Sequence, residues 1–162
     1  MMADIMPSKV IQVLNNLKGE SGRFEKLTSK QGSSIINDAY NANPQSMIGS
    51  LETLATSKCC GKRIAFLGDM LELGDYTQKA HEEVGLAVAD NKIDILISVG
   101  KFSKDIAKAA EKNGMRPENI FWFEKTEEAK LKLLEVTCND DVVLFKASNI
   151  MGFQNVVQEL VV

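Results

Sequence analysis

Apolar positions along the chain fall into two kinds of segment that alternate. Apolar residues at helical spacing predict helices at residues 7–18, 44–57, 77–90, 103–113, 126–136 and 151–162. Short apolar runs bounded by turn-forming residues predict strands at residues 24–29, 34–38, 63–68, 94–100, 120–123 and 141–146. Gly32 could supply a turn between the first two strands, so we expect one antiparallel edge strand.

The later strands are apolar throughout, which is typical of a parallel sheet covered by helices on both faces. Their alternation with helices predicts the α/β class, with a mostly parallel, doubly wound sheet of about six strands. The helix at residues 7–18 would precede this sheet, and residues 1–19 could be the end of a preceding domain. Residues 20–162 are expected to form one domain.

Composition narrows the range of partners. The 162 residues carry 19 basic and 22 acidic side chains, with no long basic run, so neither nucleic acid nor a membrane is expected as a partner. The first residues do not resemble a signal peptide. The odd number of cysteines (Cys59, Cys60 and Cys138) indicates free thiols in a reducing compartment such as the cytoplasm. With His81 as the only histidine, no metal site is predicted.

Ligands of open α/β sheets bind beyond the carboxyl ends of the strands, so the loops there are the candidate sites. The loop after the strand at residues 34–38 crowds Asp38, Tyr40 and Asn41 together. Carboxylate and carboxamide groups can hydrogen-bond ribose hydroxyls, peptides or phosphates. Asn43 and Pro44 need no ligand to explain them, because an asparagine cap followed by a proline is typical of the start of a helix.

Two further loops carry candidate residues. Asp69 lies in Gly-Asp-Met-Leu-Glu-Leu-Gly, residues 68–74, which could also be a plain turn capped by Asp75 or Thr77. Lys146 ends a strand and could meet a carboxylate or phosphate, whereas Ser148 or Asn149 could instead cap the last helix.

The remaining polar candidates are less specific. Arg23 precedes the first strand, where it could reach a phosphate or ribose, although most arginines are solvated. His81 is more typical of a surface or packing residue than of a base, and Trp122 is expected in the core. No complete catalytic set and no Gly-x-x-x-x-Gly-Lys-Ser/Thr phosphate loop occurs in the sequence.

Taken together, the ordered motifs resemble the carboxy-terminal domain of a Mur ligase, a Rossmann-like domain. The resemblance covers about residues 20 to 160 and rests on Gly-Arg-Phe-Glu (22–25), Asp-Ala-Tyr-Asn-Ala-Asn-Pro (38–44), Gly-Asp-Met-Leu-Glu-Leu-Gly (68–74) and His-Glu-Glu-Val-Gly (81–85). The pattern is most similar to the member that adds D-alanyl-D-alanine to UDP-N-acetylmuramoyl-tripeptide in peptidoglycan synthesis. It fits folylpolyglutamate synthase, a sister ligase, less well.

The resemblance implies an ATP-dependent amide ligase domain that closes over ATP and the dipeptide. It implies that Arg23, Asp38 and Asn41 bind the nucleotide. It also implies that the substrates contact a set of six residues: Tyr40, Asn41, Asn43, Asp69, Lys146 and Ser148. The family's Lys-Gly-Ser motif reads Lys-Ala-Ser here.

ATP phosphates and Mg²⁺ would be bound mainly by a central domain, and the UDP-sugar by an amino-terminal domain. This chain would therefore be catalytically incomplete alone. A non-catalytic binding or regulatory module with the same fold is the alternative.

Overall fold

The computed structural model describes residues 21–161, so the helix predicted at residues 7–18 lies outside the described residues. Six strands and five α-helices alternate in the described part of the chain. The strands are β1 (Glu25–Thr28), β2 (Ser34–Asn37), β3 (Arg63–Gly68), β4 (Ile95–Val99), β5 (Ile120–Phe123) and β6 (Val142–Lys146). The α-helices are α1 (Pro44–Thr56), α2 (Thr77–Asp90), α3 (Lys104–Lys112), α4 (Thr126–Val136) and α5 (Phe153–Leu160).

The six strands form one sheet in the order β1-β2-β6-β3-β4-β5. β1 pairs with β2 antiparallel, and every other pair is parallel. The predicted α/β class, the number of strands and the single antiparallel edge strand are therefore confirmed. Because β1 runs the opposite way, its first residue, Glu25, lies beside Asn37 at the carboxyl end of β2.

Two apolar clusters cover the two faces of the sheet. On one face, α1, α2 and α3 pack Leu51, Val84 and Ile106 against strand residues such as Leu67 and Leu144. On the other face, α4 and α5 pack against a second set of alternate strand residues. β3, β4 and β6 are buried almost along their whole length, which explains why their sequences are apolar throughout.

The position of β6 creates the places where a ligand could bind. The loops after β2 and β3 lead to helices on one face, whereas the loop after β6 leads to α5 on the other face. β6 lies between β2 and β3. At the carboxyl end of β6, its own loop therefore leaves toward one face of the sheet, while the loops of both neighbouring strands leave toward the other. Such a switch point opens a crevice at the edge of a sheet.

Two details differ from the sequence expectation. Neither Ser148 nor Asn149 caps the last α-helix, because a short 3₁₀ turn (Asn149–Met151) intervenes and Gly152, with a φ of 69°, occupies the cap position. Trp122 is only half-buried, because β5 forms an edge of the sheet; its indole nitrogen donates to the Gly100 carbonyl oxygen at 2.8 Å.

Candidate functional site

An open cleft of about 540 Å³ lies at the carboxyl ends of β2 and β6. We call it the β2–β6 cleft. Its lining includes six of the residues singled out from the sequence: Arg23, Asp38, Tyr40, Asn41, Asn43 and Lys146. The first and the last of these residues, Arg23 and Lys146, are more than 120 positions apart in the chain.

A buried ion pair forms the floor of the cleft. The Nζ of Lys146 lies 2.6 Å from Oδ2 of Asp38, and the two side chains are 3% and 11% exposed. Lys146 is the last residue of β6, and Asp38 directly follows β2, so the parallel pairing of these strands places both at the same edge. A buried charge is tolerated when it is paired and hydrogen-bonded, as it is here.

The Asp38 carboxylate also accepts hydrogen bonds from two other elements. Its Oδ2 accepts from the Ser50 hydroxyl of α1 at 2.8 Å, and its Oδ1 accepts from the Phe24 backbone N–H at 3.3 Å. A carboxylate has about four acceptor positions, and donors of the described residues fill three of them. The remaining position can accept only from a donor, such as a ligand hydroxyl or amine.

The loop between β2 and α1 holds the amide side chains at the cleft. The Asn43 side chain accepts from the Ser46 N–H at 2.9 Å while the Ser46 hydroxyl accepts from the Asn43 N–H, which forms a capping box. The predicted helix start at Asn43 and Pro44 is therefore confirmed. The Asn41 side-chain oxygen accepts from the Ala42 N–H at 2.8 Å, which leaves its amide hydrogens as donors within the described residues.

The segment before β1 forms the opposite side of the cleft. Gly22 and Phe24 have φ values of 77° and 52°, and such a conformation is strained for phenylalanine. Glu25 supports the segment, because its carboxylate accepts from the Gly22 N–H and the Asn37 side chain. The Arg23 guanidinium then lies 4.2 Å from the centre of the Tyr40 ring, a cation–π contact.

The structure places Asp69 away from the residues that line the β2–β6 cleft. Asp69 is 5% exposed, and its Oδ1 accepts from the backbone N–H groups of Phe102 and Ser103 at 3.0 and 2.7 Å. These groups lie at the start of α3, where a negative charge is favourable. The carboxylate therefore joins the loop after β3 to the loop after β4.

Ser148 joins the loop after β6 to the loop after β3. Its hydroxyl accepts from the Leu71 N–H at 2.9 Å, and its own N–H donates to the Asp69 carbonyl oxygen at 3.0 Å. A methyl group added to Gly68 would lie 2.6 Å from the Ala147 methyl carbon, so the two loops are in close contact. The loops after β3 and β6 therefore pack against each other at this edge of the sheet.

His81 is fully buried in α2. Its Nε2 accepts from the Met70 N–H at 3.0 Å, and its Nδ1 lies 2.7 Å from the Thr77 carbonyl oxygen. The first bond requires Nδ1 to carry the proton, so the ring holds the loop after β3 against α2. The packing role expected for His81 is therefore confirmed. Neither Asp75 nor Thr77 caps α2 with its side chain.

Another cavity, a groove of about 400 Å³, runs between α2 and α3. Its basic residues (Lys79, Lys108, Lys112) equal its acidic residues (Glu82, Glu83, Asp105) in number, and it lies on the flank of the sheet. In the β2–β6 cleft, by contrast, Lys146 and Asp38 form a buried ion pair, and Arg23 is a further basic side chain of the lining.

No group of three or more His, Cys, Asp or Glu side chains in residues 21–161 is arranged to hold a metal ion. None of the helices in this part of the chain is both long and apolar enough to cross a membrane.

Two residues of the site were missed by reasoning from the sequence. Ser50 is buried, and it orients Asp38 from α1. Its position one helical turn after Ser46, facing the loop, was a usable signal. Phe24 is 43% exposed and contributes a backbone donor, which no sequence pattern marks.

Comparisons with known proteins show the family to which the chain belongs. The profile described as "Mur ligase, glutamate ligase domain" matches residues 22–149. The UDP-N-acetylmuramoyl-tripeptide–D-alanyl-D-alanine ligase of Bacillus subtilis is 34% identical over 97% of this chain, which covers 34% of that protein. This chain therefore spans about a third of the length of that relative.

Two solved structures of similar proteins share the fold. A MurF crystal structure from Acinetobacter baumannii matches with a TM-score of 0.78 and 26% identity, over 96% of this chain and 33% of that one. A MurF ligase from Thermotoga maritima, solved in complex with ADP, matches with a TM-score of 0.72 and 27% identity, over 93% and 35%. With the family profile matching well over half of its residues, the chain belongs to the Mur ligase family, through the family's carboxy-terminal domain.

Proposed function

We propose that this chain forms the part of an ATP-dependent ligase that binds the nucleotide and the incoming amine. The ligase would join D-alanyl-D-alanine to UDP-N-acetylmuramoyl-tripeptide in the cytoplasm, as a step of peptidoglycan synthesis. The observation that carries the proposal is the β2–β6 cleft, where a buried ion pair and amide side chains surround an open space at a switch point of the sheet.

The nucleotide would be bound by Arg23, Asp38 and Asn41. The one acceptor position left on Asp38 suits a ribose hydroxyl, because a carboxylate accepts from hydroxyls and repels phosphates. Arg23 supplies a positive charge beside the ring of Tyr40 and suits the anionic part of a ligand. The ADP complex of the Thermotoga maritima relative supports a nucleotide as the ligand.

The dipeptide would be bound by Tyr40, Asn41 and Asn43, which follow one another in the loop between β2 and α1. The amide hydrogens of the two asparagines can donate to the carboxylate and the peptide oxygen of the dipeptide. Its amine would attack an acyl phosphate formed from ATP and the tripeptide carboxylate, and inorganic phosphate would leave. Holding the amine in place is a positioning task, which loops on a rigid sheet can perform.

The sequence does not contain a phosphate loop, and no group of three or more His, Cys, Asp or Glu side chains in the described residues is arranged to hold a metal ion. Other domains of the ligase would therefore bind the ATP phosphates and Mg²⁺. Asp69 and Ser148, which the resemblance associates with the substrate, would contribute indirectly, because both join loops of this domain to one another.

A domain exchange tests the proposal. Residues 21–162 replace the matching third of the Bacillus subtilis relative, and formation of the amide product is measured with ATP, UDP-N-acetylmuramoyl-tripeptide and D-alanyl-D-alanine. We expect product from the hybrid and at least tenfold less from the same hybrid carrying Asn41→Ala, since Asn41 has a side-chain donor at the cleft.

The 162-residue chain alone serves as the second arm of this test. We expect it to hydrolyse no ATP above background, because it does not contain a phosphate loop. A folded hybrid that binds ATP and both other substrates yet forms no amide would refute the ligase function and favour the non-catalytic module.

A further inference from the structure

All three ammonium hydrogens of Lys146 are directed at the loop between β2 and α1. Its Nζ lies 2.6 Å from Oδ2 of Asp38, 3.0 Å from the Asn41 carbonyl oxygen and 3.4 Å from the Asp38 carbonyl oxygen. A lysine ammonium has three donors and no acceptor. Lys146 is also 2% exposed as a whole residue. No donor therefore remains for the carboxylate or phosphate of a ligand.

These contacts fix the part of the loop that faces the cleft. The ammonium pairs with one end of the loop through the Asp38 carboxylate and with its middle through the Asn41 carbonyl oxygen. Ser50 donates to the same carboxylate oxygen from α1, so Asp38 is held from β6 and from α1 at once. The Asn41 side chain and the free position on Asp38 both depend on this arrangement.

We propose that Lys146 is a positioning residue: it orients Asp38 and the Asn41 peptide for the ligand and does not itself contact the ligand's anionic groups. This inference rests on the proposed function, because it names how the nucleotide site is held in shape. It also assigns to Lys146 a different role from the contact with a substrate carboxylate that the family resemblance implies.

Titration of the 162-residue chain with ADP and with AMP tests the inference, using Lys146→Met, which keeps length without charge, and Lys146→Arg, which keeps charge and donors. We expect Lys146→Met to weaken the binding of ADP and of AMP by the same factor, roughly tenfold. A loss of this size is typical of residues coupled within one hydrogen-bond network. Lys146→Arg should recover most of that loss. A loss much larger for ADP than for AMP would show direct contact with phosphate and would overturn the inference.

A second variant pair covers the case in which Lys146→Met leaves Asp38 unpaired and unfolds the chain. Asp38→Asn is compared with the double variant Asp38→Asn/Lys146→Met, in which no buried carboxylate is left without its partner. Because the contact with the Asn41 carbonyl oxygen remains in Asp38→Asn, adding Lys146→Met should weaken the binding of ADP and of AMP by the same factor. A loss much larger for ADP than for AMP in the double variant would contradict a positioning role.

A measurement without ligand separates this inference from the proposed function. In amide NMR spectra, Lys146→Met or the double variant should shift the resonances of residues 39–42 and speed their hydrogen exchange, while residues 69–73 stay unchanged. This measurement needs no nucleotide, so it decides whether Lys146 orders the loop even if the hybrid ligase forms no amide and the proposed function fails. An unchanged loop would overturn the positioning role.

Discussion

Replacing Asp69 separates a structural role of this residue from a ligand-binding one. The Asp69 carboxylate is 5% exposed and accepts from the N–H groups of Phe102 and Ser103. Asp69→Ala removes the acceptor of the buried Ser103 N–H, and an unsatisfied buried donor costs about 1–3 kcal/mol. The lost negative charge at the start of α3 adds about 0.3–1 kcal/mol.

The free energy of unfolding should therefore fall by about 1–4 kcal/mol in Asp69→Ala. Asp69→Asn keeps a neutral acceptor, so a smaller loss of about 1–2 kcal/mol is expected. For a chain of this size, a loss of 3 kcal/mol corresponds to a fall in Tm of roughly 6–12 °C.

Urea unfolding followed by the fluorescence of Trp122, the single tryptophan, measures the change. The midpoint should move to lower urea while the slope of the transition stays constant. Asp75→Ala is the matched control, because Asp75 is exposed on the same loop and should change stability by less than about 0.5 kcal/mol. The reasoning is refuted if Asp69→Ala unfolds like the wild type but loses affinity for ADP or for the dipeptide.

Three further outcomes are expected. Asn41→Ala should weaken ligand binding with less than about 0.5 kcal/mol lost in stability, because Asn41 lies in an exposed loop; equal losses of both would favour a purely structural loop. Gly68→Ala should destabilise the fold by about 1–3 kcal/mol, and adding Ala147→Gly should recover part of the loss, since their methyl groups would collide. Glu83→Gln should lower the pKa of Tyr76, which the hydrogen bond to Glu83 raises above 10.0, as measured by ultraviolet titration.

Local signals in the sequence predict the elements of the fold well. Asn43 and Pro44 combine a helix cap with a first-turn proline, and the structure shows the capping box they indicate. The apolar runs of β3, β4 and β6 likewise reveal that these strands are covered on both faces. These features depend on residues close together in the chain, which is why they can be predicted.

Pairings between distant residues cannot be predicted in the same way. Lys146 and Asp38 are 108 positions apart, and they meet only because β6 lies between β2 and β3. The sequence shows that both are polar residues at strand ends. It does not show that the ammonium group of one pairs with the carboxylate of the other. Ser148 and Asp69 likewise bond to neighbouring loops of the domain, through contacts set by strand order.

The central claim is that the β2–β6 cleft binds the nucleotide and the dipeptide. Residue-resolved NMR titration of the 162-residue chain, with ADP and then with D-alanyl-D-alanine, tests it most directly. The account predicts that the shifted resonances cluster at residues 22–25, 38–43 and 50. Shifts clustered in the groove between α2 and α3, at Lys79, Glu82, Lys108 and Lys112, would contradict it.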